Sequence, residues 1–146
     1  MVALGPPPRK LLELGCGTGR ILLPLAMEGW ECEGVDASTE MLEICRKKFD
    51  DDNLPVRLLK QRFERLNLGT RFDRIIISGL PFQHLIEIPV ALPRIRDHLK
   101  THGRLIISLF HPWESLRSSG NQTWKLRSST SLEDGNRVLV HESVTA

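Results

Sequence analysis

One acid and three glycines near the amino terminus are the residues whose types and spacing point most clearly to chemistry. Glu13 lies two residues before the first glycine, and the glycines occupy alternate positions as Gly15, Gly17 and Gly19. Glycine lets a turn approach a ligand without a Cβ in the way, and backbone N–H groups at a helix start attract polar or anionic groups. A tight turn without a ligand is the alternative, although each glycine would then destabilise the chain without a use. The pattern predicts a turn that binds a nucleotide-like ligand.

A second acid is placed where it could act on the same ligand. Asp36 follows the last of these glycines by about seventeen residues and ends a short run at residues 32–35. A carboxylate there can accept hydrogen bonds from both hydroxyls of a ribose, and its charge strengthens those bonds. Because Ser38 is a good cap for the helix that follows, we expect Asp36 to be left free for a ligand.

These groups are expected at strand ends in an alternating series of strands and helices. Residues 11–14 are an apolar run, which is typical of a strand buried on both faces of a parallel sheet. The spacing predicts further strands at residues 32–35, 56–59, 74–78 and 104–110, and helices at residues 18–28, 39–49 and 87–100. Such alternation predicts an α/β fold with a doubly wound, mainly parallel sheet, in which ligands bind at the carboxyl ends of the strands.

The predicted helices carry recognisable end and core signals. Pro24 should kink the first helix, and Gly29 should end it. The apolar stripe of the second helix is predicted from its spacing, and so is that of the third. The stripe residues are Met41, Leu42, Cys45 and Phe49 in the second helix, and Leu92, Ile95 and Leu99 in the third.

The glycine spacing argues against a dinucleotide site and resembles another family. A G-x-G-x-x-G fingerprint needs a glycine where this chain has Arg20. The pattern E-x-G-x-G-x-G over residues 13–19 resembles motif I of the class I S-adenosylmethionine (SAM) dependent methyltransferases, and residues 34–42 resemble the family's second signature. The resemblance covers about residues 9–111. It implies a Rossmann-like methyltransferase core, with SAM as cofactor and S-adenosylhomocysteine as product.

The resemblance also implies which residues bind the cofactor. Glu13 and the glycine turn would hold the methionine end, Asp36 the ribose, and Gln61 with Arg62 the adenine edge. Gln61 stands where the family usually has an aspartate, so its amide could accept from adenine only without charge. Phe63 would either pack on adenine or belong to the core. The candidate cofactor-binding residues are Glu13, Gly15, Cys16, Gly17, Gly19, Asp36, Ala37, Met41, Gln61, Arg62, Phe63 and Ser78.

The candidate catalytic residue follows the fourth predicted strand. Residues 78–85 resemble the family's motif IV region, which lines the site of methyl transfer. His84 could serve there as a general base near neutral pH, or it could simply begin a helix by bonding to the backbone. Substrate would lie between residues 78–84, residues 111–113 and the carboxyl-terminal segment.

Composition narrows the class of protein. The net charge of +2 over 146 residues is too small to suggest a nucleic-acid or membrane partner. No apolar run approaches the ~18 residues of a membrane-spanning helix, and no signal-peptide core is present. Three cysteines without a C-x-x-C pair suggest reduced thiols in a cytoplasmic protein, with no metal site. The acidic run at residues 50–53 is expected to be a solvated loop.

The last part of the chain has a different pattern. Residues 1–111 are predicted to form the SAM-binding core, and residues 112–146 a linker and an antiparallel β-hairpin. A three-residue loop would pair Glu133 with Arg137. The hairpin is either the edge pair of the sheet or the start of a substrate lid, and it could join two copies in a homodimer. A fragment of a longer protein is one interpretation of the sequence.

The sequence as a whole predicts a SAM-dependent methyltransferase that transfers a methyl group to an N or O atom of a small molecule. The alternative is a SAM-binding module without catalysis that serves in regulation or interaction. A nicotinamide-dependent oxidoreductase is disfavoured by the displaced third glycine. The sequence does not identify the methyl acceptor.

Overall fold

The computed structural model of the chain describes residue 6, residues 9–79, 81–82 and 87–109, and the backbone of residues 125–131 and 137–142. Strands and helices alternate, as predicted. A short 3₁₀ turn at Phe63–Arg65 follows β3. The elements are β1 (Lys10–Leu14), α1 (Leu22–Met27), β2 (Glu31–Asp36), α2 (Thr39–Asp51), β3 (Arg57–Lys60), β4 (Phe72–Ile77), α3 (Ile88–Asp97), β5 (Leu99–Ile107), β6 (Lys125–Ser131) and β7 (Arg137–Glu142).

The first five strands form the predicted parallel sheet of a Rossmann-like methyltransferase core. The strand order is β3-β2-β1-β4-β5, and each neighbouring pair is parallel. β1 is central, with Leu12 opposite both Glu33 of β2 and Ile75 of β4. The direction in which strands are added reverses between β1 and β4. In open α/β sheets, ligands bind outside the carboxyl ends of the strands at such a reversal.

The core lies on both faces of this sheet. Leu12 and Leu14 of β1 pack in one cluster with β4 residues such as Ile75, whereas Leu11 packs in the other with Phe49 of α2. Neighbouring residues of a strand point to opposite faces, so an unbroken apolar run places side chains in both clusters. This is why the predicted strands are short apolar runs without a polar face.

Helix α1 begins later than predicted. Residues 15–19 stay in the glycine turn, and the helix starts at Leu22 rather than Thr18. Pro24 therefore lies in the first turn, where proline is tolerated. Whether it kinks the helix stays a prediction. Gly29 follows the last turn with φ +92°, as predicted for a helix stop.

Helix α2 has the predicted cap and most of the predicted stripe. The Met41 N–H donates to Oγ of Ser38 at 3.2 Å. Leu42, Cys45 and Phe49 are buried, but Met41 is 44% exposed and does not belong to the core. The helix continues to Asp51, so the start of the acidic run is helical rather than a loop, and its residues are exposed as expected.

Helix α3 and strand β5 divide residues 88–107 differently from the prediction. α3 ends at Asp97, and Leu99 is buried as the first residue of β5. Ala91 and Ile95 are the buried residues of α3, whereas Leu92 is exposed. β5 continues through the predicted helix end because Phe72 of β4 pairs with Leu99 before the register shifts.

The backbone of β6 and β7 forms an antiparallel pair, and β7 lies parallel to β5. Ser131 pairs with Arg137, so residues 132–136 connect the two strands. The predicted pairing of Glu133 with Arg137 is therefore wrong, because the turn alone does not set the register when β7 also pairs with β5. Whether this pair also covers a substrate stays a prediction. In the described residues, no helix is long and apolar enough to cross a membrane.

Candidate functional site

A groove of about 280 Å³ lies at the carboxyl ends of β1, β2 and β3. Part of its wall is formed by Glu64, which is not among the predicted site residues, and by Pro81, which belongs to the predicted substrate segment at residues 78–84. The rest of the groove wall is formed by half of the candidate cofactor-binding residues. These are Gly15, Asp36, Ala37, Gln61, Arg62 and Phe63. The groove thus brings together residues from three strand ends that are far apart in the sequence.

The three glycines of the turn are required for different physical reasons. A Cβ on Gly15 would lie 2.5 Å from the Pro81 side chain, and one on Gly19 would lie 2.6 Å from Sγ of Cys45. A Cβ on Gly17 would meet no atom within 4 Å. All three have positive φ, which other residues adopt only with strain. Gly19 therefore lets the turn pack closely against α2. Of the three glycines of the turn, only Gly17 has open space beside its backbone.

Asp36 organises the glycine turn and is not free, contrary to the prediction. Its Oδ2 accepts from the Gly17 N–H at 2.8 Å, and its Oδ1 accepts from the Ser38 N–H at 2.9 Å. The prediction was wrong because Ser38 relieves Asp36 only of capping the helix, whereas the glycine turn across from it also offers an N–H. Each carboxylate oxygen has a second lone pair, so the half-buried Asp36 can still accept from a ligand hydroxyl.

Glu13 is a buried carboxyl group under the glycine turn. It is 2% exposed, and its Oε1 accepts from the Ser78 hydroxyl at 2.7 Å. Burial raises its pKa from 4.5 to about 7, and the Ser78 hydrogen bond opposes that rise only in part. Its Oε2 accepts no hydrogen bond of good geometry in the described part of the chain, although the backbone N–H of Leu22 also favours the charged carboxylate and lowers its pKa. An unused buried acceptor fits a ligand that brings a donor or a cation to this strand end.

The side-chain amide of Gln61 forms its hydrogen bonds within the protein, with the backbone of Asn67. Its Nε2 donates to the Asn67 carbonyl at 3.2 Å, and its Oε1 accepts from the Asn67 N–H at 3.0 Å. The amide therefore holds the loop after β3 closed. Arg62 is largely exposed, and its Nε lies 3.5 Å from Oε2 of Glu64. Glu64 was missed because it lies in a 3₁₀ turn, which no periodic pattern announces.

Phe63 belongs to the core and also lines the groove. It is 9% exposed and packs with Leu66 and Leu12 in one of the two apolar clusters. A Cβ built on Gly15 would lie 3.5 Å from its ring. The two alternatives weighed for Phe63 are thus compatible, because a core residue at a strand end can present one edge to a groove.

The other candidate residues lie outside the groove wall. Cys16 packs beneath the turn against α2, where its hydrogen bond with Cys45 and its burial raise the pKa of its thiol. Met41 lies exposed on α2. His84 and the substrate-side residues 111–113 are outside the described residues. Over the residues the structure does describe, no group of three or more His, Cys, Asp or Glu side chains could hold a metal ion.

Comparison with known proteins gives a family match. A family model described as "Methyltransferase domain" matches residues 11–103. A putative methyltransferase of Geobacillus sp. is 30% identical over 104 residues, which is 69% of this chain and 42% of that protein. A ubiquinone biosynthesis O-methyltransferase of Rickettsia akari is 26% identical over 99 residues, which is 68% of this chain and 39% of that protein.

A solved structure extends the similarity to nearly all of the chain. The CcbJ methyltransferase from Streptomyces caelestis is 30% identical with a TM-score of 0.70, over 91% of this chain and 54% of that one. The chain spans less than half the length of each of these two curated relatives.

Proposed function

The chain belongs to the class I SAM-dependent methyltransferase family, and from that membership we propose that it binds SAM and transfers the methyl group to an N or O atom of a small molecule. The observation that carries this proposal is the groove at the ends of β1, β2 and β3, with the unused buried oxygen of Glu13 beside it. When bound, SAM supplies an electrophilic methyl group on a sulfonium centre.

The described residues at the groove could contact the ribose and the adenine of SAM. Asp36 retains lone pairs for ribose hydroxyls, and its existing bonds to the backbone hold it in place. Phe63, Gly15 and Ala37 line the groove and offer a wall against which adenine could pack. Gln61 acts indirectly in this proposal, because its bonds to Asn67 keep the wall closed.

Glu13 has a role at the amino-acid end of the ligand. A cation favours the charged form of a nearby carboxyl, so an ammonium group next to Glu13 would lower its pKa from about 7. The glycine turn that covers it is fixed to β2, since the Gly15 N–H donates to the Val35 carbonyl at 2.7 Å. Binding and deprotonation of Glu13 are therefore expected to occur together.

Positioning would supply most of the rate in this proposal. Holding a nucleophile in line with the methyl group can contribute about 7–11 kcal/mol without any proton transfer. Support for an O acceptor comes from the ubiquinone biosynthesis relative, whose name records O-methylation. His84 remains the candidate general base. It belongs to the segment at residues 78–85, in which Ser78 is the polar residue that the structure describes.

The test combines a binding measurement with a transfer assay. Calorimetry with SAM, S-adenosylhomocysteine and NAD should show that the chain binds the first two and not NAD. Radiolabelled SAM is then screened against small molecules bearing N and O nucleophiles, using the chain and a form extended to the length of its relatives. His84→Ala should slow transfer by less than the ~10²–10⁴-fold that loss of a true general base costs.

The possible outcomes separate the hypotheses. Preference for NAD, or no SAM binding, would overturn the proposal. Tight SAM binding by both forms without transfer to any acceptor would favour the non-catalytic binding module. Abolished turnover in His84→Ala would instead establish His84 as the base.

A further inference from the structure

A second cleft lies at the opposite end of the sheet from the groove. It has a volume of about 690 Å³, and its wall includes Lys10, Arg71, Arg94 and Lys100. Lys10 is the first residue of β1, whereas the glycine turn follows the last residue of that strand. At about 3.3 Å per residue, the two ends of β1 are roughly 13 Å apart. The cleft is therefore separate from the groove assigned to SAM.

Positive charge dominates the wall of this cleft. Its lining holds four cationic side chains and one carboxylate, Asp97. Asp97 already accepts from Nη2 of Arg96 at 3.4 Å, and the nearby Asp73 accepts from Nζ of Lys100 at 2.8 Å. Both neighbouring acids thus have partners.

Three cations of the wall have no such partner. Within the described ranges, no hydrogen bond or ion pair engages the side chains of Lys10, Arg71 or Arg94. Arg71 and Arg94 are exposed, and they approach the cleft from the start of β4 and the end of α3. They come from different elements, so the fold brings their backbone positions together at this cleft.

A buried histidine makes the wall rigid. Nε2 of His98 accepts from the Leu68 N–H at 3.0 Å, so its Nδ1 carries the proton and donates to the Arg94 carbonyl at 2.7 Å. These bonds join the end of α3 to the loop that precedes β4. Gly69 in this loop has φ +67° and open space where a Cβ would be, which leaves backbone accessible from the cleft.

We propose that this cleft binds a compact multivalent oxyanion, the diphosphate group of a phosphorylated small molecule, through Lys10, Arg71 and Arg94. Three unpaired cations match the charge of a diphosphate. Arginine can bind two oxygens of such a group at once, and charge-assisted bonds of this kind are the strong ones. The backbone of the wall is preformed, so the ordering cost of binding is limited to the three side chains.

The test uses inorganic pyrophosphate as the probe on the whole chain at constant ionic strength. Calorimetry should show saturable binding to one site, and the NMR signals of the Gly69 and Thr70 amides should move. The double variant Arg71→Gln/Arg94→Gln should lose at least tenfold in affinity. The matched control Arg46→Gln/Lys47→Gln removes the same charge from exposed positions of α2 and should change affinity less than twofold.

Three results would overturn the proposal. One is equal weakening in the two double variants, which would mean non-specific attraction to a cationic surface. Another is wild-type binding that does not saturate or leaves the Gly69 and Thr70 amides unmoved, a result independent of whether the variants fold. The third is displacement of pyrophosphate by S-adenosylhomocysteine, which would place the anion in the other groove.

Discussion

The Ser78 hydroxyl donates a 2.7 Å hydrogen bond to Oε1 of Glu13, and this bond joins the carboxyl ends of β4 and β1. These are the two strands between which the order of the sheet reverses. Burial nevertheless outweighs the hydrogen bond, so the pKa of Glu13 is raised to about 7. A buried carboxyl group with a pKa near neutrality thus lies under the glycine turn that contributes Gly15 to the groove.

Glu13 should make stability depend on pH. Its folded pKa of about 7 exceeds the ordinary 4.5, so the folded state binds the proton more tightly. The stabilisation that Glu13 contributes is complete below about pH 4.5 and is lost as the pH rises through 7. The free energy of unfolding should fall by up to about 3 kcal/mol over this range. Urea unfolding of wild type and Glu13→Gln from pH 4.5 to 8 should show this difference. Glu31→Gln, at an exposed position of β2, is the matched control, and equal profiles for all three proteins would contradict the prediction.

Removing the Ser78 hydroxyl should raise the pKa of Glu13 further. The hydroxyl donates to the carboxylate and so favours its charged form. Titration of the Glu13 carboxyl carbon by NMR should therefore move to higher pH in Ser78→Ala. Ser78→Thr keeps a hydroxyl and should titrate close to wild type. A lower or unchanged midpoint in Ser78→Ala would show that the hydrogen bond does not stabilise the charged carboxylate.

Gly19→Ala should destabilise the fold more than Gly17→Ala. Both positions have positive φ, but only the Gly19 Cβ would overlap another atom, 2.6 Å away at Sγ of Cys45. We expect a loss of about 2–4 kcal/mol for Gly19→Ala and about 1–2 kcal/mol for Gly17→Ala in denaturant unfolding. Adding Cys45→Ala to Gly19→Ala should recover part of the loss. Equal losses at the two glycines would refute the packing role of Gly19.

Asp36→Ala should weaken SAM binding at least tenfold. The substitution removes a charged acceptor, and each hydrogen bond to such a group is worth about 1.5–3 kcal/mol. It also frees the Gly17 N–H, so the glycine turn loses a support. Calorimetry should compare it with Asp50→Ala, which removes one negative charge from an exposed position of α2. Similar SAM affinities for the two variants would remove Asp36 from the cofactor site.

Backbone amides of β7 should exchange more slowly than those of β6. β7 pairs with both β5 and β6, whereas β6 is the outer strand of the described sheet. An outer strand offers unpaired backbone groups to another chain, so a homodimer, if it forms, should pair through β6. Hydrogen exchange and sedimentation test both statements. Fast exchange across residues 124–144 in a strict monomer would contradict them.

Much of the fold could be predicted because its signals are local. The run at residues 11–14 has leucine at three of its four positions, which indicates a buried strand, and Ser38 caps α2 through a bond to a residue three positions away. Element ends were less reliable. Pro24 was assigned to the middle of a helix because the glycine turn continues further than the helical spacing suggested.

The candidate site could be predicted only in outline. Sequence spacing indicated that Asp36 and Gln61 lie at strand ends, but it could not tell whether their polar atoms are already used. Asp36 accepts from Gly17 and Gln61 pairs with Asn67, and each contact depends on how two loops face each other. Nothing in the sequence pattern indicated that Glu64 forms part of the groove wall.

The sequence by itself determined the order of strands and helices and the glycine turn, because these follow from periodicity and from the conformations single residues allow. It indicated the family through the resemblance of residues 13–19 and 34–42 to known motifs. The tertiary structure alone decided that Oε2 of Glu13 is buried without a partner, that Gly19 packs on Cys45, and that unpaired cations meet at the far end of the sheet. These features arise between residues distant in the chain. Burial and charge depend on what packs around a side chain, and no local pattern carries that information.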